Sequence, residues 1–426
     1  MPNPSNGISE HSKPNVFASS QEHLQSELRR VNDLLVLRIH AHLAVSATNS
    51  RKLIGAHLDE RDIRQLLRAV ADPDLTFRNG QTPPQQMRQA FERARSHAAR
   101  LHRRREASRA AGTPLLLDQL CIACNLTPVE QDIVLLMLLT ELDPNVGLLF
   151  SYLNDDLSRR FPTRHSLVAT LAATYGAAIK LCELFAPQGT LAMTGITVAE
   201  AERPPQASVR VRISPAAIHY LLAHPGLPET LAPIAELGNP LPLCRTEIPP
   251  EKQSQIHALC DRYAKAYADA RGKGQCGVAL FISLQGLDTG DHRLVARGIA
   301  HRLAVPLLEI RVPDLLATPN SAAMLLEAML YVRLTGHLLF LSEVEHLAHA
   351  PSPMLNRWRR LLQNSVGCMV LDGDPVKSAD AFNRNLFTIR LSPRDSGARL
   401  RLWTRATCDL PLGDDVHLPP WPTHFT

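Results

Sequence analysis

The residues from Phe281 to Leu303, FISLQGLDTGDHRLVARGIAHRL, read as a buried strand, a glycine-containing turn and the first turns of a helix. That is the setting of a phosphate-binding loop, G-x-x-x-x-G-K-[ST]. Its backbone N–H groups cradle phosphates, its lysine neutralises the outer ones and its hydroxyl holds Mg²⁺. The ungapped register starts at Gly286 and passes through Thr289 and Gly290. It puts Asp291 at the second glycine, His292 at the lysine and Arg293 at the serine or threonine. Sliding the register by one residue puts Asp291 and His292 at the last two positions. Neither register supplies a lysine or a hydroxyl. Asp288 and Asp291 fall where phosphates would sit. A like-charge contact at about 4 Å costs about 4 kcal/mol at an effective dielectric of about 20. Histidine carries little charge at pH 7. Arg293 brings positive charge, but a guanidinium does not ligate magnesium. Mg-ATP binding in the usual manner is therefore disfavoured.

The run HLLFLSE ends in Ser342 and Glu343, where such a site places an acidic pair. Ser342 stands in for the metal-holding aspartate. Glu343 remains as a candidate general base. The run VGCMVLDGD ends in Asp372, Gly373 and Asp374, at the place of a polar sensing residue, and Asp374 adds negative charge there. Arg384, in ADAFNRNLF, is a candidate trans-acting arginine. Taken alone, Glu343 reads as a surface carboxylate at a strand end and Arg384 as a solvated cation. Their order on successive strand ends gives the group its weight, because open α/β sheets bind ligands there. No metal-ligand set is expected. Cys121 and Cys124, in CIAC, have no second pair or histidines at zinc spacing, and they sit inside an apolar helical pattern.

These positions need elements to hold them. Residues 1–19 read as a disordered tail and 20–112 as a helical region. In it a helix begins at Ser20, a second spans Asp59 to Val70, TPPQQ at 82–86 breaks the chain, and a long charged helix ends at Gly112 and Pro114. Residues 113–224 suit a winged-helix domain. Thr127-Pro-Val-Glu130 is a capping box before a helix apolar almost all round. Further helices are expected from Gly147 to Leu157 and from Arg164 to Phe185, then a strand from Val209 to Ile213 and a helix capped by Ser214 and Pro215. Residues 225–274 form a proline-rich linker and a helix. Residues 275–406 hold five short apolar runs, most separated by helical segments, and predict a five-stranded parallel sheet covered on both faces. Residues 407–426 form a tail.

The chain has 426 residues, enough for two or three domains, and a net charge of +5 with a pI near 8.8. Mild basicity permits an anionic partner without requiring one. The arginines from Arg93 to Arg109 (Arg93, Arg95, Arg100, Arg103, Arg104, Arg105 and Arg109) make a solvated helical face or a basic surface for nucleic acid. No apolar run approaches a membrane span, and the polar N-terminus lacks a signal-peptide core. The expectation is a cytoplasmic protein without disulfides.

The segment from about Gln275 to Ala406 resembles the ATPase core of AAA+ proteins. QGLDTGDHRLVARGIAHRL matches the Walker A loop and helix, LLFLSEVEHL Walker B, VGCMVLDGD the sensor strand, and AFNRNLFTIRLSPRDSGARLRLW the arginine-finger segment. LLLDQLCIACNLTPVEQDIVLLMLLTELDPNVGLLFSYLNDDLSRRFPT is similar to the winged-helix domain that precedes that module in a bacterial subgroup. The resemblance implies ATP and magnesium as cofactors and a ring, often a hexamer, that remodels proteins. Of its functional positions, Gly286, Glu343 and Arg384 match here. After Trp403 the family continues into a helical lid, for which CDLPLGDDVHLPPWPTHFT is too short. The chain looks like the degenerate first half of a tandem ATPase, or a truncated one. Related ATPases are often encoded beside contractile injection particles, which implies assembly or loading of such a particle. Three functions are in view. One is a pseudo-ATPase acting as a protein-interaction or assembly factor. The second is a divergent but active AAA+ ATPase using Arg293 and Glu343. The third is a winged-helix DNA-binding regulator.

Overall fold

The computed structural model describes residues 16–46, 63–64, 84–154, 156–172, 175–199, 209–272, 277–286, 289–363, 365–373, 386–392 and 396–408. They form two compact units that part at Ser214; the first also takes Leu221–Ala223 and the second Pro215–Tyr220.

The first unit is mainly helical. It contains α1 (Ser20–Ser46), α2 (Pro84–Ala110), α3 (Leu116–Cys124), α4 (Pro128–Leu142), α5 (Pro144–Leu153), α6 (Arg164–Leu171), α7 (Tyr175–Glu183) and α8 (Thr190–Met193), then strands β1 (Thr197–Ala199) and β2 (Val211–Ile213). The two strands pair antiparallel, with Val198 opposite Arg212, and a single bridge joins Thr163 to Arg210. The predicted capping box starts α4. The Thr127 hydroxyl accepts from the Glu130 N–H at 3.3 Å, and the Thr127 N–H donates to the Glu130 carboxylate at 2.8 Å. Every residue from Ile133 to Leu138 is buried, so α4 is the core helix. Helix α1 lies against α2, α3, α4 and α6, which makes the N-terminal helices part of this unit rather than a separate region.

Several boundaries differ from expectation. Phe17, placed in the tail, is buried with Leu101 and Leu115, and Arg104 sits 4.1 Å over its ring. Helix α5 starts at Pro144 rather than Gly147, because the Asp143 carboxylate accepts from the Asn145 N–H at 2.9 Å and caps it there. The helix expected from Arg164 to Phe185 is two helices, since Ala172 is extended. Most of the helix expected over Asp59 to Val70 lies outside the described residues; Ile63 and Arg64 are helical.

The second unit holds α9 (Pro215–Leu221), β3 (Ala235–Gly238), α10 (Pro250–Gly272), β4 (Ala279–Gln285), α11 (Thr289–Leu303), β5 (Leu307–Arg311), α12 (Val312–Ala317), α13 (Ser321–Thr335), β6 (Leu338–Ser342), α14 (Ser352–Gln363), β7 (Gly367–Asp372), β8 (Leu386–Arg390) and α15 (Ser396–Cys408). The sheet order is β3-β5-β6-β7-β4-β8. All pairs are parallel except β3 with β5. The sheet therefore has six strands, not the expected five. The five apolar runs all form strands. The sixth, AELG, lies in the proline-rich stretch read as linker. It is short, buries only Ala235 and leaves Leu237 46% exposed, so it carries no strand pattern. A Cβ at Gly238 would come 2.9 Å from the Leu307 Cδ2, so any larger residue there would make the Leu307 side chain shift. The continuous apolar strands are buried as predicted, and α11 packs Val295 and Ile299 into the same core as Ile282, Phe340 and Val370.

Candidate functional site

From β4 the chain passes to β5, beyond β6 and β7, while β8 lies on the other flank of β4. The strand order therefore reverses between β4 and β7. Open α/β sheets take ligands outside the carboxyl ends of the strands at such a point. Here the connection from β4 to α11 is short in sequence. Helix α11 begins at Thr289, so residues 287–288 alone separate Gly286 from helical backbone, and Thr289 and Gly290 belong to the first turn. The phosphate-loop pattern needs four residues between its glycines. A Cβ at Gly286 would meet the Leu391 carbonyl oxygen at 2.8 Å and His292 Nε2 at 3.4 Å. Only glycine fits there, and it is needed for close packing.

His292, at the lysine position, is 3% exposed. Its Nδ1 is hydrogen-bonded to Asp372 Oδ1 at the end of β7. The other oxygen of this buried carboxylate accepts from the Glu343 backbone N–H at 3.2 Å. Asp372 therefore ties the start of α11 to the end of β6. His292 Nε2 is buried and has no partner among the described residues.

Arg293, at the hydroxyl position, points to carboxylates. Its Nε donates to Glu309 at 2.6 Å and its terminal nitrogen to Glu236 at 3.0 Å. Burial pushes the Glu309 carboxyl up, and Arg293 opposes that shift. Glu343 follows β6 with φ 58° and ψ 43°, in the left-handed region that non-glycine residues seldom adopt. Two bonds hold it there: its N–H to Asp372, and Arg311 Nε to its carboxylate at 2.8 Å. The Arg311 hydrogen bond holds the Glu343 carboxyl below its usual range. That makes it a weaker proton acceptor, whereas a general base works best with a pKa near the operating pH.

Beside these groups lies a cleft of about 380 Å³, lined by Glu236, Arg293, Glu309, Arg311, Asp314, Ser342 and Glu343 together with apolar atoms. Asp291 instead lines a second pocket of about 470 Å³ with Glu247 and Arg401. The structure thus brings Gly286 and His292 to one end of the sheet with Asp372 and Glu343, and turns Asp291 aside. Asp288, Asp374 and Arg384 lie outside the described residues. Sequence reasoning missed Glu236, Glu309 and Arg311. Glu309 carried a signal, as the one acid within the buried run LLEIR.

In the first unit, three of the arginines proposed as a basic surface are engaged internally. Arg104 pairs with Glu22 at 2.7 Å, Arg109 with the buried Asp118 at 2.7 Å, and Arg105 approaches Asp118 at 3.7 Å. Arg100 and Arg103 are exposed, and Arg93 and Arg95 also lie on α2. Cys124 is buried, and burial pushes the Cys121 thiol up to about 12, so neither offers a ready thiolate. Among the described residues, no helix is long and apolar enough to cross a membrane and no metal-binding group is formed.

Comparison with curated proteins gives no match. The family model described as "Winged helix domain, variant" matches residues 9–235, which covers the helical unit, its β1–β2 hairpin and the segment up to β3. That match spans more than half of the chain, and the chain belongs to this winged-helix family.

Proposed function

We propose that the α/β unit is a degenerate AAA+ module that does not hold Mg-ATP, and that the chain acts as a protein-interaction or assembly factor. The observation that carries this reading is His292. The side chain at the position of the phosphate-binding lysine is buried against Asp372. Three further features support it. The turn between Gly286 and α11 is too short for a phosphate cradle. The Arg293 guanidinium is held by Glu309 and Glu236. Ser342 replaces the metal-holding carboxylate.

A protein partner suits the winged-helix unit better than nucleic acid. In helix-turn-helix readers the second helix enters the groove. If α7 is that helix, it offers one basic residue, Lys180, and exposes Ile179 at 52%. An exposed apolar side chain on a helix with few charges fits protein contact.

Turnover tests the reading. The full-length protein is expected to release no phosphate from Mg-ATP above buffer, and the Glu343→Gln variant is expected to behave identically. Wild-type turnover that falls at least about tenfold in Glu343→Gln, the scale of a lost general base, would instead establish a divergent active ATPase.

A further inference from the structure

The cleft beside β6 has a charge and hydrogen-bonding inventory that selects a ligand. Four carboxylates line it, from Glu236, Glu309, Asp314 and Glu343, against two guanidiniums, from Arg293 and Arg311. Each guanidinium is already claimed. Arg293 bonds one oxygen each of Glu309 and Glu236; Arg311 bonds one oxygen each of Glu343 and Asp314. Among the described residues the second oxygen of each carboxylate has no protein donor. The cleft is thus left with a net negative charge and four acceptor oxygens.

A separate observation points the same way. Ser342 is 3% exposed, lines this cleft and makes no side-chain hydrogen bond among the described residues. Its oxygen is not sealed from solvent, so the hydroxyl opens on the cleft. A hydroxyl on the wall of an acceptor-rich cleft fits a ligand donor.

We propose that this cleft binds an organic cation through a primary ammonium or guanidinium head. Such a head carries several N–H donors and no acceptor, which matches the free oxygens. At about 380 Å³ the cleft is in the size range of small-ligand pockets. An anion is disfavoured, because the carboxylates outnumber the guanidiniums and each guanidinium already bonds two of them. The head could belong to a free polyamine or to a lysine or arginine side chain of a partner. The inference stands whether or not the unit has lost nucleotide binding.

The test uses the full-length protein at low ionic strength. Spermidine, Nα-acetyl-lysine amide and Nα-acetyl-arginine amide are titrated calorimetrically, with NaCl at matched ionic strength as control. Saturable binding of spermidine alone would identify a polyamine site. Binding of an amide in competition with spermidine would identify a site for a partner's side chain. In either case the double variant Glu236→Gln/Asp314→Asn should weaken binding at least about tenfold while leaving the melting temperature nearly unchanged, since the Glu236 side chain is 77% exposed and the Asp314 side chain 43%. Ser342→Ala should weaken it about threefold to tenfold, the scale of one hydrogen bond. Three results would overturn the proposal: no binding of any probe in the millimolar range, displacement by NaCl alone, or an affinity the double variant leaves unchanged.

Discussion

His292→Ala is expected to destabilise the α/β unit by about 3–5 kcal/mol, read as a fall in its denaturant midpoint. The variant removes the donor to a carboxylate that is 3% exposed. One oxygen of Asp372 then stays buried without a partner, and the other keeps only the Glu343 N–H at 3.2 Å. The loss reaches further than one bond. Asp372 is the group that ties the start of α11 to the end of β6, and Glu343 holds a left-handed backbone there. A double-mutant cycle with Asp372→Asn should therefore be strongly non-additive. If His292 were instead free to serve a ligand, alanine there would leave stability nearly unchanged.

Arg30→Ala should cost the winged-helix unit a similar amount, about 3–5 kcal/mol. Arg30 donates to Glu27 at 2.6 Å and to Asp132 at 2.5 Å, bridging α1 to the core helix α4. Its removal strands two carboxylates that are 5% and 19% exposed. Burial already pushes the Asp132 carboxyl above its ordinary 3.8, and Arg30 is what opposes that shift. Without Arg30 the folded-state pKa rises further above the unfolded value. The folded state then binds the proton more tightly than the unfolded chain, so stability rises as pH falls through that window. The deficit of Arg30→Ala should be full at pH 7 and shrink as the pH falls towards 3.8. A deficit that is flat with pH would show that lost packing, not stranded charge, is responsible.

The elements that announce themselves locally were legible in the sequence. The capping box at Thr127 formed because both partners lie within one turn. Four of the parallel strands were legible because burial on both faces forces apolar runs; β8, which buries only Ile389, was legible from the alternating apolar residues of LFTIR. The strand β3 was not, because four residues at a sheet edge need bury only one. The break after Leu171 was not, because no glycine or proline marks it. In the site, residue types at Asp291, His292, Arg293 and Ser342 already argued against a phosphate cradle. Their partners could not be read. Asp372 is 80 residues from His292, Glu309 is 16 from Arg293 and Glu236 is 57 from it. Such pairings are set by strand order. The arginines of α2 show the same limit: composition counts charge, and the fold decides which guanidiniums face water.

The α/β unit is proposed not to hold Mg-ATP, because His292 is buried against Asp372 and Gly286 lies close against Leu391. The most direct measurement is a calorimetric titration of the full-length protein with ATP, with and without magnesium. No saturable heat is expected in the millimolar range in either condition. Micromolar binding that requires magnesium would contradict it, and would mean that His292 leaves Asp372 to make room for phosphate.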